Sequence, residues 1–120
     1  VRVFGFIDVM PEAMGVSDLV VAKAGGMTVT EALCCSVPLI LYHAIPGQEQ
    51  SNAQYVVQHG AAIMANTPQD VARVVLRMLD DPTECEAMRR AARALSQPDA
   101  AAAIVSQVVI PLLHDHRASL

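Results

Sequence analysis

The sequence predicts an α/β fold of the Rossmann-like type, in which a parallel sheet carries helices on both faces. Two short apolar runs, residues 18–22 and 38–42, are each followed by a polar loop and then by a helical pattern. Runs that are apolar at nearly every position are typical of strands buried on both faces of a sheet. Strands that alternate with helices favour parallel pairing, because each crossover brings the next strand back in the same direction.

The composition indicates one globular domain. The 120 residues are 53% hydrophobic and 17% charged, which is enough apolar surface for one core and too little charge for a disordered chain. The net charge of −4 excludes the basic patch that nucleic-acid binding requires. The three cysteines are an odd number without metal-ligand spacing, which fits a reducing, cytoplasmic setting. No apolar run approaches the roughly 18 residues that a membrane span needs.

The elements are expected in the order β-α-β-α-β-α-β-α-α-α. Residues 1–6 alternate and are rich in β-prone residues, so they predict a first strand. A short helix follows, with Pro11 at its start and its end near Gly15. The second strand covers residues 18–22. Because the first strand begins at residue 1 with no helix ahead of it, the pattern is that of the back half of a Rossmann-like domain.

Two helices are expected to follow the next two polar loops. Thr28 is a good N-cap, and Glu31 three positions later completes a capping box. That helix stops before Pro38, where the third strand (residues 38–42) begins. A further helix extends from Gln48 and is stopped by Gly60, and residues 61–65 form the fourth strand.

The C-terminal third, residues 66–120, is predicted to be helical. Pro68, Pro82 and Pro98 mark three helix starts, and the first two helices carry apolar stripes at helical spacing. Pro111 is expected to kink or end the last helix. Three arginines are expected to form the solvated face of the middle helix: Arg89, Arg90 and Arg93.

The loop at Gly25 and Gly26 is a candidate anion site. Two glycines after a strand allow a tight turn, and the amides of Gly26, Met27 and Thr28 then lie at a helix N-terminus. Those amides and the helix dipole favour a phosphate or diphosphate. Glu31 either completes a cap or binds vicinal hydroxyls, as acidic residues do for ribose in dinucleotide sites. The plainer interpretation of the glycines is that they only close a turn.

The second loop brings amide and carboxylate groups to the start of a helix. Gln48, Glu49 and Asn52 are three or four positions apart and share one helix face. Together they offer the donors and acceptors that sugar hydroxyls need. The same residue types in a first turn are also ordinary capping residues. His43, in the same loop, is a candidate for contact with a ligand hydroxyl or for a base.

Together the two loops resemble a known family. The resemblance rests on AKAGGMTVTEA and on VPLILYHAIPGQEQSNAQYV, which are similar to the donor-binding half of GT-B glycosyltransferases, the glycosyltransferase family 28 C-terminal domain. Within that family the chain resembles the monogalactosyldiacylglycerol synthases and processive diacylglycerol glucosyltransferases. The peptidoglycan lipid II-forming N-acetylglucosaminyltransferase is a more distant relative. The resemblance covers residues 1–65, and the helical remainder is similar only in outline.

The resemblance implies a UDP-sugar donor and a role for each matching position. It implies no metal or other cofactor, because a helix N-terminus stabilises the charge of the leaving diphosphate. It places the catalytic base in an N-terminal domain outside this chain, so no catalytic residue is expected here. The implied roles are uracil binding by Phe6 and Ile7, diphosphate binding by Gly25, Gly26, Met27 and Thr28, ribose binding by Glu31, and hexose binding by His43, Gln48, Glu49 and Asn52.

The resulting hypothesis is a partial donor-binding domain, with nucleotide-sugar-binding units in residues 1–65 and a helical segment in residues 66–120. The whole protein would transfer a hexose from a UDP-sugar to a diacylglycerol-like lipid. This chain alone is expected to be inactive, because transfer requires both reactants to be aligned across a cleft. The expected partners are the UDP-sugar and the lipid acceptor, with cytoplasmic location and peripheral contact to the inner membrane face in the complete protein only.

Two alternatives remain open at this stage. One is a nucleotide-sugar 2-epimerase, which shares the GT-B architecture. The other is a non-catalytic module, either a degenerate remnant or a subunit that another polypeptide completes.

Overall fold

A three-stranded parallel sheet forms the centre of the molecule. The structure is a computed structural model that describes the backbone of residues 1–118 and the side chains of residues 1–114. Within that range the strands are β1 (Val20–Ala22), β2 (Leu39–Tyr42) and β3 (Ala62–Ala65), hydrogen-bonded in the order β1-β2-β3. The α/β fold with a parallel Rossmann-like sheet is therefore confirmed.

The central strand β2 has a core on each side. Alternate side chains of a strand point to opposite faces, and Leu39 and Leu41 belong to one buried cluster while Ile40 belongs to another. All three are at most 1% exposed. The prediction that this strand is buried on both faces is confirmed.

Helices cover both faces of the sheet. The core around Leu39 and Leu41 includes side chains from α1 (Met10–Gly15), α2 (Gly26–Cys34) and α3 (Gln48–Gln58). The core around Ile40 is closed by α4 (Pro68–Asp80). The following helix α5 (Pro82–Leu95) contributes Ala92 to the first core and Met88 to the second.

The prediction of a strand at residues 1–6 is wrong. This segment is irregular up to the start of α1, and Phe6 is 83% exposed. A strand needs a neighbour to accept its backbone hydrogen bonds, and within the described residues β1 pairs only with β2. With no further strand beside it, β1 lies at the sheet edge, and Val21 is 44% exposed instead of buried on both faces as expected.

The prediction of a capping box formed by Thr28 and Glu31 is also wrong. The helix α2 begins three residues earlier than expected, with Gly25 as its N-cap and Val29 N donating to Gly25 O at 3.0 Å. Thr28 is therefore the third helical residue and Glu31 the sixth. A capping carboxylate has to lie at the third helical position to reach back to the N-cap, so Glu31 is free for another role.

A capping box does occur at the start of α4. The hydroxyl of Thr67 accepts from Asp70 N, and the carboxylate of Asp70 accepts from Thr67 N, both at 3.1 Å. The hydrogen bond from the Thr67 side chain is the main cause that lowers the pKa of Asp70, and Arg73 adds to it. The predicted helix start at Pro68 is confirmed.

Two helices of the first core end in the same left-handed turn. After α3, Gly60 has a φ of 74° and Ala61 N donates to Val56 O, so the predicted stop at Gly60 is confirmed. After α2, Ser36 takes the same role with a φ of 53°. A left-handed conformation is less favourable for serine than for glycine. The sequence therefore gives no signal that the helix ends in a left-handed turn at Ser36.

The C-terminal segment remains helical through Pro111. It consists of α6 (Ala100–Ile104), a π-helical turn (Val105–Val109) and α7 (Ile110–Ala118). Of the two outcomes predicted for Pro111, a kink or an end of the helix, the end is wrong and the kink stays a prediction. A proline lacks an N–H and crowds the carbonyl four residues earlier, and the wider π turn just before it accommodates both effects.

Arg89 connects α5 to the N-terminal edge of the sheet by hydrogen bonds. The prediction that Arg89 lies on a solvated helix face is therefore wrong. Its Nη2 donates to Asp18 O at 3.0 Å and to Ser17 O at 3.4 Å, and its Nη1 donates to Ser36 O at 3.5 Å. The side chain is half-buried, whereas its neighbour Arg90 is exposed. Arg89 thus joins the segments that lead into β1 and β2.

We expect Arg89→Ala to lower the free energy of unfolding by about 1–3 kcal/mol, because partly buried carbonyls lose a charged donor. Urea unfolding followed by circular dichroism measures the change. Arg90→Ala, one position along the same helix, is the matched control and should change the stability by less than about 0.5 kcal/mol. Equal effects of the two substitutions would show that Arg89 has no special structural role.

Candidate functional site

The two polar loops lie side by side at the C-terminal edge of the sheet. One follows β1 and leads to α2, and the other follows β2 and leads to α3. Parallel strands end at the same edge, which is where open α/β sheets bind their ligands. The arrangement expected for the two candidate loops is therefore present.

The N-terminus of α2 presents three backbone amides. The first bond of the helix runs from Val29 N to Gly25 O, so the amides of Gly26, Met27 and Thr28 precede it and have no intrahelical acceptor. Met27 is 79% exposed, so this end of the helix is accessible. Free amides and the positive end of the helix dipole together suit an anion such as a phosphate.

Asn52 connects α3, the helix after the second loop, to the first loop by a hydrogen bond. Its Nδ2 donates to Ala24 O at 3.0 Å, across 28 positions of sequence. Ala24 is fully buried and directly precedes Gly25. The bond therefore fixes the start of α3 against the residue from which α2 begins.

Glu49 makes a second connection between the loops. Its Oε2 accepts from Ile45 N at 3.0 Å, which closes the β2–α3 loop, and its Oε1 lies 3.7 Å from Lys23 Nζ. The Lys23 side chain is 55% exposed, so this ion pair adds little stability on its own. Its consequence is geometric, since it places an ammonium and a carboxylate between the two helix starts.

Gly47 sets the direction in which α3 leaves its loop. It is the N-cap residue of that helix and has a φ of 104° and a ψ of −127°. Side chains other than hydrogen are strained in this region. The glycine thus allows Gln48 and Glu49 to begin the helix immediately after the turn.

The expected ribose residue, Glu31, lies on the side of α2 that faces α1. Glu31 and Cys35 are one helical turn apart, and Cys35 Sγ donates to Pro11 O in α1 at 3.5 Å. Burial raises the pKa of the Cys35 thiol, and the nearby charges of Glu31 and of Glu12 in α1 raise it further. Glu31 therefore faces α1, which is the helix that the segment with Phe6 and Ile7 leads into.

The expected hexose-binding residues do not form one cluster. Glu49 and Asn52 contact the α2 loop, and Gln48 is exposed in the first turn of α3. His43 instead lines a concavity on the far side of α3, together with Gln50 and other residues. Sequence spacing cannot reveal the bond from Asn52 to Ala24 or the ion pair of Glu49 with Lys23, because the two members of each pair are far apart in the chain.

In the part of the chain that the structure describes, no three His, Cys, Asp or Glu side chains come close enough together to hold a metal ion. None of its helices has both the length and the apolar character needed to cross a membrane.

Comparison with known proteins shows the family. The model of the glycosyltransferase family 28 C-terminal domain matches residues 1–104. The chain therefore belongs to this family, and the GT-B resemblance inferred from the two loops is confirmed.

Individual relatives agree with this assignment. The chain is 33% identical over 108 residues to a processive diacylglycerol beta-glucosyltransferase of Bacillus pumilus, covering 90% of this chain and 28% of the relative. It is 39% identical over 109 residues to monogalactosyldiacylglycerol synthase 3, chloroplastic, of Arabidopsis thaliana, covering 90% of this chain and 23% of the relative. The chain thus spans about a quarter of the length of these relatives.

A solved structure shares the fold. MurG of Acinetobacter baumannii superimposes with a TM-score of 0.77 at 25% sequence identity, covering 89% of this chain and 33% of that chain. The superposition covers most of the residues that form the sheet and its helices. The two loops therefore lie in a GT-B type of fold.

We expect Asn52→Ala to lower the free energy of unfolding by about 0.5–1.5 kcal/mol, through loss of its bond to Ala24 O. Urea unfolding gives this value, and the amides of Met27 and Thr28 should exchange with deuterium faster in the variant. Gln58→Ala, at the exposed end of α3, is the matched control. If Asn52→Ala leaves both stability and exchange unchanged, the two helix starts do not depend on this bond.

Proposed function

We propose that this chain is the donor-binding part of a hexosyltransferase that transfers a hexose from a UDP-sugar to a diacylglycerol-like lipid. The observation that carries the proposal is the pairing of two helix starts at one sheet edge, linked by the bond from Asn52 Nδ2 to Ala24 O. One start offers free amides and the other offers amide and carboxylate side chains. In a nucleoside diphosphate sugar, the diphosphate would match the free amides, and the hydroxyl groups of the adjoining sugar would match the amide and carboxylate side chains.

The diphosphate is proposed to lie at the N-terminus of α2. The amides of Gly26, Met27 and Thr28 would donate to its oxygens, with Gly25 allowing close approach. Negative charge builds up on the UDP leaving group during transfer, and fixed amides with a helix dipole stabilise such charge without reorganisation. Lys23, next to this loop, is paired with Glu49, so the amides and the helix dipole supply most of the positive potential.

The nucleoside is proposed to lie on the α1 side of α2. Glu31 faces that side and has no place in a capping box, so its carboxylate is available to accept from the two ribose hydroxyls. Phe6 and Ile7 belong to the segment that precedes α1 in the chain, and they are proposed to contact the uracil ring.

The hexose is proposed to lie between the start of α2 and the start of α3. Gln48 is exposed there and offers a donor and an acceptor. Asn52 uses Nδ2 for Ala24 and keeps Oδ1 for a sugar hydroxyl, and Glu49 keeps lone pairs beyond its bond to Ile45 N. His43 lies farther away, on the other side of α3, and has the weakest structural support among these residues.

The lipid acceptor is proposed from the names of the relatives, which transfer sugar to diacylglycerol or synthesise monogalactosyldiacylglycerol. Because this chain covers about a quarter of their length, the catalytic base and the acceptor site are proposed to lie in the rest of the complete protein. Transfer needs both reactants aligned, so the chain alone is proposed to bind the donor without turnover. Contact with the membrane surface is proposed for the complete protein.

We expect Glu31→Ala in the complete protein to weaken UDP binding by about 1–3 kcal/mol, because the ribose hydroxyls lose a charged acceptor. Isothermal titration with UDP measures the change. Glu86→Ala, an exposed acidic position on α5, is the control for loss of a negative charge and should leave UDP affinity unchanged. Unchanged UDP affinity in Glu31→Ala would remove Glu31 from the ribose site.

We expect Gln48→Ala to weaken binding of the UDP-hexose while the affinity for UDP stays the same, because Gln48 lies beside the hexose and away from the nucleotide. Titration of UDP, UDP-glucose and UDP-galactose against the variant separates the two parts of the donor. Gln58→Ala in the last turn of α3 is the matched control. Equal losses for UDP and UDP-hexose would move Gln48 away from the sugar.

A further inference from the structure

We infer that a concavity on the far side of α3 is a second binding site, which takes a neutral, hydroxyl-rich group such as a sugar residue. The concavity has a volume of about 440 Å³. It is bounded by the loop after β2, by α3 and by the end of β3. The inference goes beyond the proposed function, because it concerns a ligand other than the UDP-sugar.

The site is separate from the donor contacts proposed for Gln48, Glu49 and Asn52, and His43 is assigned to it instead of to the donor hexose. Successive residues of a helix are about 100° apart around its axis, so Gln50 and Gln54 each lie about 160° from Asn52. Asn52 is bonded to Ala24 on the α2 side, whereas Gln50 and Gln54 line the concavity on the β3 side. One face of α3 thus serves the donor loops and the opposite face serves this concavity.

The polar lining suits an uncharged ligand with hydroxyl groups. Three carboxamides line the concavity, those of Gln50, Gln54 and Asn66, and His43 adds an imidazole. Carboxamides both donate and accept, as hydroxyl groups require from their partners. The lining includes no Asp, Glu, Lys or Arg, so nothing in it would compensate a charged ligand.

The remaining lining supplies an apolar surface. It consists of Ala53 and Val57 of α3, Met64 of β3, and Ala44 and Pro46 of the loop after β2. Such a surface matches the C–H face of a sugar ring. Volumes of roughly 300–1,000 Å³ with mostly apolar walls and a few polar groups are usual for small-molecule sites.

The position of His43 also points to a binding role. His43 directly follows β2, and Asn66 directly follows β3, so both lie at the C-terminal edge of the sheet where ligands bind. His43 has a φ of 57°, a conformation that is unfavourable for residues other than glycine and recurs at functional sites. No signal in the sequence distinguished this histidine from a donor contact.

The experiment uses the complete protein with UDP present at saturation. Methyl β-D-glucopyranoside and methyl β-D-galactopyranoside are titrated, and saturation-transfer NMR detects their binding. Phosphatidylcholine vesicles with and without glucosyldiacylglycerol form the second arm, followed by flotation. Binding of the free glycosides identifies a soluble sugar as sufficient, while binding of the glycolipid vesicles alone identifies a membrane-borne head group.

The expected result is that Gln54→Leu and Gln50→Leu each weaken sugar or glycolipid binding by at least about fivefold, as loss of one hydrogen bond would. Gln58→Leu, exposed on α3 outside the concavity, is the matched control and should bind like the wild type. All three variants should keep their UDP affinity. Circular dichroism and urea unfolding check that they fold.

Three results would overturn the inference: no binding of glycoside or glycolipid by the wild type, an equal loss in Gln58→Leu, or displacement of the sugar when UDP is replaced by UDP-glucose. The last would place the sugar in the donor site. Failure of the proposed function has a different signature, because UDP would not bind while the glycosides still bound. The two proposals therefore fail independently.

Discussion

The burial of β2 on both faces is the constraint on which the rest of the structure depends. Leu39 and Leu41 require one apolar layer and Ile40 requires another, so helices have to lie on both sides of the sheet. Parallel pairing with β1 and β3 then brings the loops after these strands to one edge. The two candidate loops are neighbours because the strands that precede them pair in parallel within this sheet.

The loops themselves are joined by polar contacts across the two helix starts. Asn52 reaches a buried carbonyl at the beginning of the first loop, and Glu49 reaches both its own loop and Lys23. Part of the hydrogen-bonding capacity of these side chains is therefore used by the protein. What remains open, the amides at the start of α2 and the exposed amide of Gln48, matches a charged bridge and a sugar. The opposite face of α3 lines a concavity without charged side chains, so one helix separates the proposed donor contacts from the site inferred for a second ligand.

The sequence predictions that failed were those that needed a partner from elsewhere in the fold. Residues 1–6 have the composition of a strand, yet no neighbouring strand in the described structure accepts their hydrogen bonds. The Thr28–Glu31 spacing satisfies a capping box, but the two glycines allow α2 to begin earlier. Arg89 has the spacing of a solvated residue and instead bonds carbonyls more than 50 positions away. Local patterns carry no information on such contacts.

By itself, the sequence determined the alternation of strands and helices from β1 to α4, the buried central strand, the stop at Gly60 and a helix start after the two glycines, but not which residue is the N-cap of that helix. Each of these follows from hydrophobic periodicity or from the local preferences of glycine and proline, which act over a few residues. Only the tertiary structure decided which side of α3 each polar residue occupies. It placed Asn52 against Ala24 and His43 beside Gln50, because those positions depend on how helices pack against a shared sheet.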